Sequence, residues 1–145
     1  MTTPSDTSTT TGSPGYLPAP WLHRRILNPL VMRLGMMPAL IVRGRNTGRQ
    51  RKVPVRPIEV GGSRYLVANR GHSHWARNLS VNPEAELRDH GESERIRAVE
   101  IDGIERDRAL AEYRATARPS IKNLFDQLPD PDDHPTFRIH TLARA

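Results

Sequence analysis

Residues 52–69 read KVPVRPIEVGGSRYLVAN, and their pattern is typical of a β-hairpin. Two apolar runs rich in valine flank the pair Gly61-Gly62, which suits a tight turn between two strands. The sequence therefore predicts one strand over 52–60 and a return strand over 63–69.

The first of these strands has an irregular apolar pattern. Val53 and Val55 share one face of a strand, whereas Ile58 and Val60 have the opposite parity. A slip of one residue predicts a β-bulge near Pro57. Since proline cannot donate a ladder hydrogen bond, the two prolines of the run place this strand at a sheet edge or at the rim of a barrel.

Hydrophobic periodicity predicts further elements on both sides of the hairpin. Strands are expected at 38–44, 85–90, 94–101 and 136–142, with the turn of the second hairpin at 91–93. Helices are expected at 74–83 and 104–118, the second facing the core with Ile104, Leu110, Ala111 and Ala115, while 119–135 is expected to be irregular. About six strands joined mostly by hairpins indicate the mainly β class: a small, mostly antiparallel barrel with accessory helices.

The N-terminal part of the chain has a different composition. Residues 1–20 are rich in Thr, Ser and Pro, so we expect a disordered tail followed by a single domain over 21–145. The segment 21–37 has basic residues between apolar ones at helical spacing, which fits a helix packed on the core or one lying on an anionic membrane surface. No apolar run is long enough to cross a bilayer and no secretory signal is evident. We therefore expect a cytoplasmic protein, with contact at the inner face of the membrane left open.

Positive charge is concentrated in one segment. The formal net charge is +6, and residues 43–56 contain six basic residues and no carboxylate. A focused field of this kind attracts an anionic partner. Aromatic side chains, which bind bases by stacking, are absent between Met37 and Tyr65, so nucleic acid is not expected as a partner.

The stretch GRNTGRQR at 44–51 follows a predicted buried strand. It fits neither a Walker A loop nor a dinucleotide-binding fingerprint. Gly44 and Gly48 are expected to turn the backbone so that N–H groups point outward and form a nest for an anion. Further donors would come from the side chains of Arg45, Thr47 and Arg51. The residues themselves leave open whether this segment binds a phosphate or carboxylate or is only an exposed basic turn.

Other chemical motifs are weak. His72 and His74 form an HxH pair, but no third ligand is evident and Ser73 is expected to cap a helix there, so no metal is expected. The chain has no cysteine, which excludes disulfides and thiolate catalysis. No catalytic side chain is assigned.

Three motifs taken in order resemble the deazaflavin-dependent nitroreductase family of split β-barrel proteins. They are GRxTGxxRxxPV at 44–55, GGxRYLVA at 61–68 and HWxxNLxxNP at 74–83. The resemblance implies an FMN-binding-like split barrel and coenzyme F420, an anionic deazaflavin, as cofactor, with FMN as the alternative. It further implies hydride transfer to a small-molecule electron acceptor: a quinone, a nitro compound or an activated alkene. A non-catalytic flavin or deazaflavin binder is the alternative function, and the oligomeric state is left open.

Carried over position by position, the resemblance implies a set of cofactor contacts. The phosphate and polyglutamate tail would face Arg45, Asn46, Thr47, Gly48 and Arg51. The ring system would lie beside Pro54, Val55 and Arg56, with Ala68, Asn69 and Arg70 lining the deazaflavin head. Trp75 and Asn78 would close the pocket.

The chain also departs from the family pattern. Asn46 stands where the family usually has a basic residue, and Ala76 stands where a tyrosine normally follows the tryptophan. The tyrosine-rich segment that lines the acceptor site in the family is replaced by residues 121–135, in which Phe125 is the only aromatic residue. The resemblance therefore concerns the cofactor more than the acceptor.

Overall fold

The computed structural model describes residues 37–144, which form a seven-stranded antiparallel sheet, three helices and one 3₁₀ turn. The strands are β1 (Ala39–Arg43), β2 (Gln50–Pro54), β3 (Ile58–Val60), β4 (Ser63–Val67), β5 (Glu84–Asp89), β6 (Glu92–Ile101) and β7 (Thr136–Arg144). The helices are α1 (His74–Val81), α2 (Gly103–Thr116) and α3 (Pro119–Gln127), and the 3₁₀ turn is Pro131–Asp133. The predicted tail 1–20 and, apart from its last residue, the predicted helix 21–37 lie outside the described residues.

The sheet is forced to close by a very short connection. Its order is β2-β1-β5-β6-β7-β4-β3, so that β2 and β3, which are consecutive in sequence, occupy opposite edges. In a flat sheet these edges would be about 29 Å apart. The link between them, residues 55–57, reaches only about 14 Å when fully extended. The sheet therefore curls into a barrel that is split between β2 and β3, which confirms the predicted fold class.

The prediction of one continuous strand over 52–60 is wrong. The segment forms two strands that belong to different edges, since β2 pairs with β1 and β3 pairs with β4. The change of parity that suggested a bulge arises because Val55 points into the barrel interior, whereas Ile58 packs outside it beneath α2. A register shift does occur on β6, between Arg95 and Ile96, where Leu142 is the extra residue on β7.

Apolar side chains form two clusters, one on each side of the sheet. The barrel interior contains Leu40, Val42, Val55, Leu66, Ala68, Ala76, Leu79, Leu87, Ile96, Ala98, Phe137 and Ile139. The second cluster joins the outer face of β3 and β4 to α2 and α3, and contains Ile58, Tyr65, Val67, Ala109, Leu110, Tyr113 and Phe125. Helix α1 contributes Ala76 and Leu79 to the interior cluster, and so it covers part of the barrel interior.

The structure contains a helix that the sequence analysis missed. Segment 119–135 was expected to be irregular, but α3 occupies its first nine residues. Pro119 begins this helix, which suits a residue without an N–H, and Ile121, Leu124 and Phe125 follow at helical spacing. Leu124 and Phe125 are buried, so tertiary packing stabilises a helix that is too short to be stable alone.

Helix α2 has a different buried face from the one predicted. Leu110 is buried as expected, but Ile104 is 74% exposed, and Ala111 and Ala115 are also exposed. The buried face instead includes Tyr113, whose large ring removes more apolar area from water than two alanines would.

Both predicted hairpin turns exist, one of them shifted in position. Gly61 and Gly62 connect β3 to β4 with φ values of 59° and 85°. The second turn consists of His90 and Gly91, both with positive φ, and not of residues 91–93 as predicted. Two-residue turns of this kind match the twist of antiparallel strands, and β6 therefore begins earlier than expected.

Described residues include no helix that is both long enough and apolar enough to span a bilayer.

The packing of α3 makes a testable prediction for stability. Leu124→Ala should lower the free energy of unfolding by about 2–4 kcal/mol, because it leaves a cavity between α3 and its neighbours. The neighbouring Asn123 is exposed, so Asn123→Ala should change that free energy by less than about 0.5 kcal/mol. Urea denaturation of both variants measures the difference, and equal values would contradict a packed helix in this segment.

Candidate functional site

The loop between β1 and β2 is closed by its own backbone. The Gly44 N–H donates to the Arg49 carbonyl at 2.7 Å, and the Gly48 N–H donates to the Gly44 carbonyl at 3.0 Å. The hairpin itself uses these two N–H groups, so they cannot be part of the predicted outward-facing nest for an anion. A Cβ on Gly44 would lie 3.2 Å from the Arg49 oxygen, so glycine permits this close approach. The loop also offers a ligand its exposed side chains.

The loop is fastened to α1 through Arg45 and Asn78. The buried Oδ1 of Asn78 accepts hydrogen bonds from the Arg45 N–H at 3.0 Å and from Arg45 Nη1 at 2.7 Å. Arg45 Nη1 also donates to the His74 carbonyl at 3.4 Å. Two residues that come from separate sequence motifs therefore meet, and the guanidinium of Arg45 is held at the N-terminal end of α1.

Positive charge converges at this end of the helix. The pKa of His74 is lowered from 6.5 by burial and then by the positive charges of Arg45, Arg77 and Arg51. No acidic residue lies in the first turn of α1, and a helix N-terminus itself favours anions. We call His74, Arg45, Arg51 and Arg77 the cation cluster; a phosphate or carboxylate there would meet several charged donors.

Ser73 stands at the N-cap position of α1, as predicted, but its side chain makes no capping bond. Its hydroxyl oxygen is buried and has no hydrogen-bond partner among the described residues. A buried polar group without a partner costs about 1–3 kcal/mol. An anionic ligand at the start of α1 would remove that cost, and so the site suits an acceptor oxygen.

Strand β2 runs from the cation cluster towards the split of the barrel. Arg51 and Val53 pair with Val42 and Leu40 of β1, so they share the face that turns to the barrel interior. Val55, which is buried, lies four residues beyond Arg51, a distance of about 13 Å along an extended chain. One side of the strand is therefore charged at one end and apolar at the other.

We call the inner surface from Arg51 along β2 to Val55 the path along β2. Hydrogen bonds fix the backbone at its apolar end. The interior cluster includes Val55 and Ala68, and Trp75 packs against it with its ring 6.1 Å from that of Phe137. The Ala68 N–H donates to the Pro135 carbonyl at 2.9 Å, and the Ala68 carbonyl accepts from the Gly71 N–H at 3.1 Å. The backbone that the resemblance assigns to the cofactor head is thus fixed in position.

Asn69 and Arg56 point towards α2 and meet at Tyr113. Asn69 Nδ2 donates to the Tyr113 hydroxyl at 2.8 Å, and Arg56 Nη2 donates to the Tyr113 carbonyl at 2.9 Å. Of the other predicted contacts, those exposed to solvent are Asn46, Thr47, Gly48 and Arg51, and those half-buried are Pro54 and Arg70.

Four residues near this site were not among the predicted contacts: Ser73, which was predicted only as a helix cap, and His74, Arg77 and Tyr113. His74 and Arg77 could have been found, because they lie four residues and one residue before Asn78 on a predicted helix whose first turn faces the basic loop. Tyr113 has no such local signal, because its partners are 44 and 57 residues away in sequence.

Two surface cavities lie elsewhere. One of about 490 Å³ covers the outer faces of β1, β5 and β6, and one of about 410 Å³ lies between α2 and the β3–β4 hairpin. In the first, Glu84 already pairs with Arg95 at 2.9 Å and with Arg97 at 3.3 Å, so charge is largely balanced. Residues 37–144 contain no group of three His, Asp or Glu side chains placed to hold a metal ion. The cation cluster, where several positive groups meet the unpartnered Ser73 hydroxyl at the start of α1, is therefore the stronger candidate for a binding site.

Comparison with known proteins bears on what binds there. A family model described as F420H(2)-dependent quinone reductase matches residues 20–124. Among curated proteins, none matches the sequence.

Solved structures share the fold at low identity. An F420-H2 dependent reductase, FDR-A, has 22% identity and a TM-score of 0.57, over 72% of this chain and 93% of that chain. The heme storage protein HutZ from Vibrio cholerae has 16% identity and a TM-score of 0.55, over 81% of this chain and 94% of that chain. Atu2129 from Agrobacterium tumefaciens, of unknown function, has 23% identity and a TM-score of 0.56, over 75% of this chain and 49% of that chain. These likenesses establish the fold and not the ligand.

From the charges of the cation cluster we predict that the free energy of unfolding depends on pH, and that a bound anion weakens this dependence. Because the folded pKa of His74 lies below its unfolded value of 6.5, the unfolded chain binds more protons in that range, and the free energy of unfolding should fall as the pH drops through it. The loss stays below about 1 kcal/mol, since His74 is only partly buried and solvent screens most of its ring. Thermal melts at a series of pH values should show this loss of stability in the wild type. The loss should be smaller in His74→Gln, and smaller in the wild type when sulfate is added. Parallel pH profiles for both proteins would contradict this.

Proposed function

The chain belongs to the F420H2-dependent quinone reductase family, and from this premise we propose that it reduces a quinone with reduced coenzyme F420. Family membership makes it an oxidoreductase with coenzyme F420 as cofactor. The observation that carries the site assignment is the path along β2, which is cationic at one end and apolar at the other. An anionic tail and a flat ring system, joined in one molecule, would match these two ends.

We assign the phosphate and tail of the cofactor to the cation cluster. Arg45, held by Asn78, and Arg51 would bind the phosphate by charge-assisted hydrogen bonds. Ser73 would donate its otherwise unpartnered hydroxyl to the same group. The polyglutamate tail would extend past the exposed side of the loop, where Asn46, Thr47 and Gly48 lie.

We assign the deazaflavin head to the apolar end of the path. Val55, Ala68 and Trp75 would supply apolar surface that excludes water, while Pro54 and Arg70 would flank the ring system. The Asn69 amide would offer its remaining donor and acceptor to the edge of the ring. Arg56 stays engaged with α2, so its part is to hold this end of the path in shape.

The proposed chemistry needs little from the side chains. When bound, the reduced cofactor supplies a hydride and a proton, which convert a quinone into a hydroquinone. The chain orients the ring, excludes water and places the acceptor beside it, which is enough to accelerate such a step. This agrees with the lack of an assigned nucleophile.

Arg51 and its neighbour Lys52 provide a matched test of the tail site. Arg51→Ala should weaken binding of F420 at least tenfold, or about 1.4 kcal/mol, because a charge-assisted phosphate contact is lost. Lys52 faces the opposite side of the strand, so Lys52→Ala should change the dissociation constant by less than about twofold. Titration monitored by F420 fluorescence measures both, and equal losses would contradict this placement of the tail.

The acceptor is tested by turnover. Wild-type protein should oxidise F420H2 with soluble quinones faster than with nitroaromatic compounds or activated alkenes, as followed by the return of oxidised F420 absorbance. FMN at equal concentration should not compete for binding. A preference for nitro compounds, or binding of F420 with no turnover on any acceptor, would contradict the proposal.

A further inference from the structure

Tyr113 is bonded both to the link between β2 and β3 and to the segment that follows β4. Its hydroxyl accepts a hydrogen bond from Asn69 Nδ2 at 2.8 Å, and its carbonyl accepts one from Arg56 Nη2 at 2.9 Å. The Arg56 guanidinium also lies 4.3 Å from the centre of the Tyr113 ring, a cation–π distance. The same guanidinium donates to Thr116 Oγ1 at 3.0 Å.

These contacts lie at the split of the barrel. Arg56 belongs to the link between the two edge strands, and Asn69 follows the end of β4, which pairs with one of those edges. Tyr113 is 3% exposed and packed in the outer cluster, so its position is fixed by neighbours on α3 and the sheet. The buried Tyr113 is therefore a fixed hydrogen-bond partner for both Arg56 and Asn69.

We propose that Tyr113 is a positioning residue for the reductase reaction, acting through Asn69. This inference rests on the proposed function, in which the Asn69 amide meets the edge of the cofactor ring. With one N–H bonded to the Tyr113 hydroxyl, the amide is left with one N–H and its carbonyl oxygen in a fixed orientation. Such a pair recognises a ring edge that carries an acceptor and a donor side by side.

Orientation matters here because hydride transfer depends steeply on the placement of the ring. A supporting hydrogen bond on a residue that contacts the cofactor changes the rate more than the affinity when the tail provides most of the binding. The hydroxyl of Tyr113 is thus expected to affect turnover, and the charged tail site is expected to affect affinity.

Tyr65 provides a matched control on the same outer cluster. It is buried to a similar degree, and its hydroxyl donates to Glu105 at 2.8 Å, away from the proposed site. Tyr65→Phe and Tyr113→Phe each remove one hydroxyl and preserve the ring, so both should lower the thermal midpoint modestly. Only Tyr113→Phe removes a bond to the proposed cofactor site.

The experiment compares four proteins with wild type: Tyr113→Phe, Asn69→Ala, the double variant and Tyr65→Phe. Tyr113→Phe should lower kcat roughly five- to twentyfold and change KM for F420H2 by less than about twofold. The double variant should be no slower than Asn69→Ala, because Tyr113 acts through Asn69. The circular dichroism that bound F420 acquires should change alike in Tyr113→Phe and Asn69→Ala, and should not change in Tyr65→Phe.

Several outcomes would overturn the proposal. Multiplicative losses in the double variant, or equal effects of Tyr113→Phe and Tyr65→Phe, would make Tyr113 purely structural. If Tyr113→Phe failed to fold, an unchanged spectrum of F420 bound to Asn69→Ala would overturn it, and a changed spectrum would support it. Wild-type protein that binds F420 but reduces no quinone would contradict the proposed function, and the spectra would still decide the role of Tyr113.

Discussion

The three-residue link at 55–57 is the constraint on which the rest of the structure depends. Because it joins the two outermost strands of a seven-stranded sheet, the sheet can form only as a curled barrel. The edges approach without a ladder between them, and this opening is where the apolar interior comes close to the surface. Val55 reaches inward from the link and Arg56 reaches outward to α2, so both sides of the sheet are anchored at the same place.

Charge and apolar surface are separated along a single edge strand. The period of two in a β-strand sends Arg51 to the inner face and Lys52 to the outer one. The inner face then continues through Val53 to the link, so that the cation cluster and the barrel interior form one continuous path. A fold shared with a heme storage protein does not select a ligand by itself. We propose that in this chain the position of the arginines relative to the opening makes the selection.

The sequence predicted what depends on local pattern and missed what depends on distant contacts. The hairpin at 61–62, the start of α1 and the concentration of charge follow from neighbouring residues, and all are present. The sequence could not show that the N–H groups of Gly44 and Gly48 donate within the loop, so that neither is part of the predicted outward nest. Helix α3 was missed because its short apolar face becomes stable only against α2. Tyr113 was missed because both of its hydrogen-bond partners come from distant parts of the chain.

The length of the link also affects how the fold tolerates change. Surface loops usually accept extra residues at a small entropic cost. Each residue added between β2 and β3 would instead let the two edges separate by about 3.5 Å more. Their unpaired backbone groups would then be open to strands of another molecule, a route to aggregation that Pro54 and Pro57 now help to block. Insertions in this segment are therefore constrained by solubility, independently of any ligand.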